Sequence, residues 1–288
     1  MAFSNTTVMS GHGNISLNDN RGAGLPLLML HGTGASKDVF DVQFQSALAN
    51  QHRLVAMDFP GHGGSDDAAD PEASYSLAGM ASVVVDVLDA LDIPKVAVLG
   101  WSLGGHVAIE MMRSRPDRLS GVLLTGTPPP AHGPVALLRA FQLRPEMLFS
   151  SKVHFTPSQA QRFARLCYGD FVTASRIQEI ERSDGRSRPL IYRDLTSVTG
   201  LSQKAVVERS ALPLAVANGA NEPIARLSYL ESLHYQRLWT GACHVIEGAG
   251  HAPFLQRPER FNQLAGRFMA HLAGLEVMEP RTILGATA

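Results

Sequence analysis

A serine in a glycine-rich turn is the first residue of this sequence that could carry out chemistry. Ser102 lies in Gly100-Trp101-Ser102-Leu103-Gly104, after the apolar run 96–99 and before a helical pattern that starts at His106. A strand that enters a helix through G-x-S-x-G is typical of a nucleophile elbow, in which glycines allow the tight turn and the hydroxyl is exposed at the helix N-terminus. The same residues could form an ordinary Ser-Gly loop, so the interpretation depends on partner residues elsewhere.

The first partner is a general base. A serine hydroxyl is a weak nucleophile at neutral pH, and it needs a base and a carboxylate that orients this base. His251 comes after the last predicted strand, which is the position of the base when the order along the chain is serine, acid, histidine. His31, His62 and His106 also lie near the glycine-rich turns, but each fits a structural role in a turn or on a helix face. His251 is therefore the predicted base.

The second partner is the acid. Glu222 is the carboxylate in the turn that follows the predicted strand 213–217. The turn after the preceding strand, residues 125–130, contains neither aspartate nor glutamate. An exposed glutamate without a catalytic role is the alternative, since glutamate usually lies on the surface. The sequence predicts a triad of Ser102, Glu222 and His251.

A second glycine-rich turn, His31-Gly32-Thr33-Gly34, follows the predicted strand 26–30. Acyl transfer needs two N–H donors aimed at the oxyanion. In proteins with a nucleophile elbow, one donor is the residue directly after the nucleophile and the other lies in a turn of this kind. We therefore expect the backbone N–H groups of Leu103 and Thr33 to form the oxyanion hole, with Gly34 as the alternative to Thr33. The residues expected to contribute to substrate binding are His31, Gly32, Gly34, Trp101 and Phe163.

The elements that must position these residues alternate between strands and helices. That order predicts an α/β fold, with a mostly parallel sheet covered on both faces in three layers. We assign residues 1–130 and 210–274 to the core, and residues 131–209 to a helical cap over the carboxyl ends of the strands. The segment 275–288 is predicted to be a mobile tail. Helices are also expected over 41–49 and 224–233.

Composition narrows the classes of partner. The 288 residues include 25 basic and 26 acidic side chains, for a net charge of −1. This balance lacks the excess of positive charge that binds nucleic acid or an anionic membrane, so neither is expected as a partner. The two cysteines are far apart and have no metal-type spacing. We expect a cytoplasmic protein, because the N-terminus lacks the features of a signal peptide and no apolar run could span a bilayer. The predicted partner is a small-molecule ester or lactone, and no cofactor is expected.

The chain resembles the α/β-hydrolase superfamily over residues 1–274, and within it most closely the N-acyl-homoserine lactone lactonases of this fold. The motifs that carry the resemblance are Gly-Trp-Ser-Leu-Gly-Gly-His at 100–106, Thr-Gly-Thr-Pro-Pro at 125–129, Asp-Gly-Arg at 184–186, Asn-Gly-x-x-Glu-Pro at 218–223 and Ala-Gly-His-Ala-Pro-Phe at 249–254. In that family the serine, glutamate and histidine of these motifs form the triad. The resemblance therefore implies the same roles for Ser102, Glu222 and His251.

The resemblance implies a hydrolase that opens the lactone ring of bacterial quorum-sensing signals. It does so without metal, whereas another class of lactonases uses a two-metal site built on an H-x-H-x-D-H run, which this sequence lacks. A general carboxylesterase and a hydrolase of carbon–carbon bonds are alternatives with the same chemistry. A hydrolase-derived receptor that binds a small signal without turnover is the alternative from another class.

Overall fold

The computed structural model of the chain describes residues 3–199 and 202–274. Within these residues, one sheet of eight strands has the order β1-β2-β4-β3-β5-β6-β7-β8. The strands are β1 Ser4–Ser10, β2 Gly13–Asp19, β3 Leu27–Leu30, β4 Leu54–Met57, β5 Val96–Trp101, β6 Leu119–Thr125, β7 Leu214–Gly219 and β8 His244–Ile246. β1 pairs antiparallel with β2, and β2 antiparallel with β4, while the other neighbouring strands pair in parallel. The predicted α/β fold with a mostly parallel sheet is confirmed.

Helices connect the strands and cover the sheet. They are α1 Asp41–Phe44, α2 Ala47–Gln51, α3 Pro71–Ser74, α4 Leu77–Ala90, α5 Leu103–Ser114, α6 Pro134–Ala140, α7 Pro157–Tyr168, α8 Ala174–Arg182, α9 Ser187–Thr196, α10 Gln203–Arg209, α11 Leu227–Glu231, α12 Pro253–Gln256 and α13 Pro258–Leu272. Short 3₁₀ turns cover Lys37–Phe40, Pro116–Arg118, Pro145–Ser151, Gly169–Phe171 and Trp239–Gly241. None of the helices in the described part of the chain has both the length and the apolar character needed to cross a bilayer.

Two predicted helices are shorter than expected, and side chains explain both differences. The helix predicted over 41–49 is interrupted because Ser46 is extended and its hydroxyl accepts a hydrogen bond from the Leu48 N–H, which starts α2 anew. The helix predicted over 224–233 begins only at Leu227. The Glu222 carboxylate binds the N–H groups of Ile224 and Ala225, so this segment follows the carboxylate instead of starting a helix.

The sheet has an apolar core on each face, because successive side chains of a strand point to opposite sides. In β5, Val96 and Val98 belong to the core under α4 and α5, whereas Ala97, Leu99 and Trp101 belong to the core on the other face. The second core also contains aromatic side chains of α13. These two cores form the three layers that the alternating pattern predicts, with both faces of the central strands buried.

Residues between β6 and β7 form a helical insert, which we define as 131–199 and 202–209. The Asp-Gly-Arg tripeptide fastens this insert to the core. The Asp184 N–H donates to the Gly61 oxygen at 2.7 Å, and the Tyr75 hydroxyl donates to the Asp184 carboxylate at 2.5 Å. Arg186 forms an ion pair with the same carboxylate. The predicted tail, 275–288, lies outside the described residues.

Two glycines give a matched test of how closely the helix after the serine approaches the sheet. A Cβ atom on Gly104 would lie 2.1 Å from the backbone oxygen of Leu30. We expect Gly104→Ala to lower the free energy of unfolding by about 2–3 kcal/mol, because only a backbone shift could relieve that overlap. A Cβ atom on Gly266, in α13, would lie 3.5 Å from the Leu48 side chain. Gly266→Ala should therefore raise the same quantity by about 0.5–1 kcal/mol. Urea unfolding measures both, and equal stability of the two variants would contradict the expected close approach.

Candidate active site

The serine turn has the backbone of a strained elbow. Ser102 lies between β5 and α5 with φ 54° and ψ −115°, a left-handed region that side chains other than glycine rarely adopt. Its N–H donates to the Thr125 oxygen at 2.9 Å, which anchors the turn to the neighbouring strand β6. A Cβ atom on Gly100 would lie 2.5 Å from the Cα of Gly105. The turn is thus too tight for a larger residue at position 100, and the serine lies at the carboxyl edge of the sheet because it directly follows β5.

A buried carboxylate–imidazole pair lies at the same edge. The Nδ1–H of His251 donates to both oxygens of Glu222, at 2.8 and 2.9 Å, and both side chains are fully buried. The Glu222 Oε1 also accepts the N–H groups of Ile224 at 2.7 Å and Ala225 at 3.1 Å. These bonds fix the carboxylate, and they place the proton of the imidazole on Nδ1. The Nε2 of His251 is then the nitrogen that can accept a proton.

Several contacts hold the His251 ring next to the serine turn. The indole N–H of Trp101 donates to the His251 backbone oxygen at 2.8 Å, and the two rings are 5.6 Å apart. A Cβ atom on Gly126, the residue after Thr125, would lie 2.6 Å from the ring. The Nε2 of His251 is buried and has no hydrogen-bond partner among the described residues. The structure thus brings the His251 ring next to the serine turn without a hydrogen bond between its Nε2 and the Ser102 hydroxyl. Such a bond is often long in an enzyme without bound substrate.

The predicted oxyanion donors lie on two sides of the serine. Leu103 is the first residue of α5, so its N–H has no acceptor within the helix. Gly32 and Thr33, on the turn after β3, line the same cavity as Ser102. Gly34 has φ +71° and faces Ile180 of the helical insert, where a Cβ would lie 3.1 Å from that side chain. Thr33 is therefore better placed toward the cavity than Gly34.

The cavity above the serine has a volume of about 640 Å³. Helices of the insert supply most of its walls, and its lining is mainly apolar. Among the lining residues are Leu137, Phe141, Met147, Phe163, Ile191 and Ile224. Of the residues predicted to bind substrate, Gly32, Trp101 and Phe163 line this cavity, whereas His31 and Gly34 are not part of its lining.

His31 instead belongs to a buried histidine pair behind the turn. Its Nδ1–H donates to the Gly32 oxygen at 2.8 Å, and its Nε2 accepts the Phe59 N–H at 3.1 Å. The His62 ring lies 5.1 Å away. Burial, the largest cause, lowers the pKa of His31 to about 4 and that of His62 to about 3. Both rings are neutral at neutral pH, and the bonds of His31 hold the backbone of the turn.

The histidine pair predicts acid sensitivity. The unfolded chain takes up a proton at each ring near the ordinary pKa of 6.5, whereas the folded chain does so only near 4 and 3. The unfolded state therefore binds more protons below pH 6.5. As the pH falls below that value, the free energy of unfolding decreases by up to about 1.4 kcal/mol per pH unit for each ring. Urea unfolding between about pH 7 and 5 measures this slope.

A pair of variants isolates this contribution. His62→Gln removes one buried titrating ring and should make the slope shallower than that of the parent. His234, whose side chain is 94% exposed, is the matched control. His234→Gln should leave the slope as it is. If His62→Gln and His234→Gln changed the slope equally, the buried pair would not be the source.

Sequence reasoning missed two glutamines at this site. The Gln142 amide donates to the Glu222 backbone oxygen. Gln203, on α10, bonds to the His106 ring and to the His106 backbone oxygen. Glutamine occurs widely on exposed helix faces, and no spacing links these residues to their distant partners.

Among the described residues, no group of three or more His, Cys, Asp or Glu side chains is arranged to hold a metal ion.

Several known proteins with similar sequences bear the names of hydrolases. The sequence profile of the alpha/beta hydrolase family matches residues 27–264. The poly(3-hydroxyalkanoate) depolymerase of Ectopseudomonas oleovorans is 28% identical, over 90% of this chain and 89% of that protein. The pimeloyl-(acyl-carrier protein) methyl ester esterase of Nitrosomonas europaea is 28% identical, over 84% of this chain and 95% of that protein.

Solved structures show a nearer relative. The N-acyl homoserine lactonase AidH, complexed with N-butanoyl homoserine, superposes with a TM-score of 0.91 at 36% identity. That match covers 96% of this chain and 100% of the other. Other structures of AidH variants are complexed with N-hexanoyl homoserine lactone and with N-hexanoyl homoserine. The profile match and this identity over nearly the whole length show that the chain belongs to the alpha/beta hydrolase family.

Proposed function

We propose that this chain, an ester-bond hydrolase of that family, opens the lactone ring of N-acyl-homoserine lactones. The observation that carries the proposal is the strained Ser102 on the lining of an apolar cavity, with the buried Glu222–His251 pair held next to the serine turn. Such a cavity suits the acyl chain of the substrate, while the polar floor suits its lactone carbonyl. Support for the lactone comes from AidH, whose structures hold acyl homoserines and a lactone.

The geometry suggests a two-step reaction. The Ser102 Oγ attacks the lactone carbonyl carbon and gives its proton to the His251 Nε2, and the Glu222 carboxylate stabilises the imidazolium through Nδ1–H. The N–H groups of Leu103 and Thr33 hold the oxyanion. When the carbon–oxygen bond of the ring breaks, His251 protonates the departing alkoxide. This alcohol stays attached to the acyl group, so the product is released only after water, activated by His251, cleaves the acyl-enzyme ester.

We propose that the helical insert acts as a cap over this reaction. Its helices line the cavity through residues such as Phe141, Phe163 and Ile191. The Asp184 contacts to Gly61 and Tyr75 tie it to the core. A substrate bound beneath it is shielded from water along its acyl chain, while the lactone meets Ser102. The extent of apolar lining favours an N-acyl substrate over a small unsubstituted lactone.

A substrate panel tests the lactone assignment. The wild type should hydrolyse N-hexanoyl-homoserine lactone faster than aryl esters, alkyl methyl esters or carbon–carbon ring-cleavage products. Proton release measures the ring opening. Acidifying the product is a second check, because an opened homoserine lactone closes again in acid whereas a cleaved amide does not. A wild type that prefers methyl or aryl esters would be a general carboxylesterase instead.

The carboxylesterase is the second candidate because one relative is by name a methyl ester esterase, and a methyl ester is an open-chain ester. The panel separates the two candidates directly. A receptor that binds without turnover would give no hydrolysis of any panel member by the wild type. Binding of the lactone measured by calorimetry would then be the same for the wild type and Ser102→Ala.

A further inference from the structure

His106 and Gln203 form a polar pair on the wall of the cavity that the proposed reaction does not use. His106 is four residues after Ser102, and its backbone N–H donates to the Ser102 oxygen at 3.2 Å. Residues four apart lie on the same face of a helix. The His106 ring lines the cavity together with Ser102, and the residue is only 4% exposed.

Gln203 determines which ring nitrogen of His106 carries the proton. The Gln203 Nε2 donates to the His106 backbone oxygen at 3.2 Å, and its Oε1 lies 2.6 Å from the His106 Nδ1. A backbone oxygen can only accept, so the amide cannot be turned around. The Oε1 must then accept, and Nδ1 must carry the hydrogen. The Nε2 of His106 is left as a hydrogen-bond acceptor.

The charge state of His106 keeps this acceptor available. Burial, the largest cause, lowers the pKa of His106 to about 4, although the Gln203 bond acts in the opposite direction. The ring is neutral at neutral pH, so Nε2 carries no proton there. Among the described residues, the hydrogen bond of the His106 ring is made by Nδ1, to Gln203.

We propose that the Nε2 of His106 accepts the amide N–H of an N-acyl-homoserine lactone. The inference rests on the proposed function, and it makes His106 a residue that distinguishes N-acyl lactones from lactones without an N–H. The amide nitrogen of that substrate is attached to the carbon next to the attacked carbonyl. Because Ser102 and His106 line the same cavity, a substrate held at Ser102 can turn this N–H toward the wall one helical turn along α5, where His106 lies.

Other polar groups around the cavity are less suited to this role. The indole N–H of Trp101 and the amide N–H of Gln142 donate to the backbone oxygens of His251 and Glu222. The Arg188 guanidinium donates to the backbone oxygens of Lys152, Val153 and Ile180 and to the Ser183 hydroxyl. The indole and guanidinium nitrogens can only donate and cannot receive an N–H, whereas the Oε1 of Gln142 can accept one. His106→Phe leaves that oxygen in place, so the test with that variant distinguishes the two acceptors.

The test compares two substrates on one enzyme preparation. One is N-hexanoyl-homoserine lactone, and the other is the same lactone with CH₂ in place of the amide N–H. In His106→Phe, the ratio of kcat/KM for the amide to kcat/KM for its CH₂ analogue should fall about tenfold from the wild-type ratio. The ratio does not depend on how much of the variant is folded, because both substrates meet the same molecules. An unchanged ratio would overturn the proposal.

Gln203→Glu tests the positioning role of the glutamine. The variant loses the bond from the Gln203 amide to the His106 backbone oxygen. Gln203 is also the first residue of α10, where a carboxylate interacts favourably with the helix dipole, and this interaction offsets the loss. A carboxylate facing Nδ1 stabilises the imidazolium and raises the pKa of His106, which turns Nε2 into a donor at lower pH. The amide-to-CH₂ ratio of this variant should be low in acid and recover as the pH rises. A ratio independent of pH in this variant would contradict the positioning role.

The charged side chains of α5 and α10 near this pair form ion pairs of their own. Glu110 pairs with Arg113 on α5, and Lys204 pairs with Glu208 on α10. His251 is the titratable ring that interacts with His106. Protonation of His251 affects both substrates equally and cancels in the ratio. The wild-type ratio should therefore stay flat between about pH 6 and 8.

The two proposals fail in different ways. If the wild type opens neither lactone, the proposed function is wrong. If the wild type opens both and His106→Phe slows both by the same factor, the lactonase assignment stands and the role of His106 is wrong.

Discussion

Ser102→Gly should abolish hydrolysis and at the same time stabilise the fold. Loss of the nucleophile is expected to lower kcat/KM by about 10⁴-fold or more, since only the oxyanion donors and substrate binding remain. The serine is held at φ 54° and ψ −115°, a conformation that costs a residue with a side chain about 1–3 kcal/mol. Glycine adopts it without that cost but loses more chain entropy on folding. We expect a net gain of about 1 kcal/mol in the free energy of unfolding.

Ser102→Ala is the matched control. Alanine also removes the hydroxyl, so its activity should fall as far as that of the glycine variant. It keeps a Cβ in the strained conformation, and its free energy of unfolding should remain near that of the parent. Urea unfolding and initial rates on N-hexanoyl-homoserine lactone measure the two properties. An alanine variant as stable as the glycine variant would show that the turn stores no strain, and hydrolysis by either would mean another nucleophile.

The local pattern of the chain was sufficient to predict the elements and the ends of strands where the polar groups meet. The apolar run before Ser102 and the helical period after it predicted β5 and α5. Because parallel strands end at one edge, turns after β7 and β8 had to bring Glu222 and His251 to the side of the sheet where Ser102 lies. The structure gives the Glu222–His251 contact at 2.8 Å. Topology brings the two turns together, while the bonds from the N–H groups of Ile224 and Ala225 orient the carboxylate.

Contacts between distant segments could not be predicted in this way. His31 was expected at the substrate, but its bonds to Gly32 and Phe59 turn it into the core. The Gln203 amide meets His106 only because α10 packs on α5, and a sequence period records which face of a helix is apolar but not which helix covers it. The late start of α11, at Leu227, likewise depends on a side chain. The Glu222 carboxylate accepts the N–H groups of Ile224 and Ala225, so these residues do not begin the helix.

Glu222→Gln should lower kcat/KM by about 10³- to 10⁴-fold with substrate affinity nearly unchanged. In the wild type, Glu222 accepts the Nδ1–H of His251 with both carboxylate oxygens. Its Oε1 also accepts two backbone N–H groups, from Ile224 and Ala225. In the variant these two donors keep the amide oxygen in place, so the amide NH₂ faces Nδ1. Because NH₂ can only donate, Nδ1 must accept, and the imidazole proton moves to Nε2.

An imidazole with its proton on Nε2 cannot take the proton of Ser102, so the loss falls on kcat rather than on KM. Glu247→Gln is the control, because Glu247 follows β8 and is exposed. That variant should keep the activity of the parent. Initial rates at saturating and at low lactone concentration separate kcat from KM. If Glu222→Gln raised KM and left kcat unchanged, the carboxylate would shape the cavity rather than orient the base, and the acid of the triad would have to be sought elsewhere.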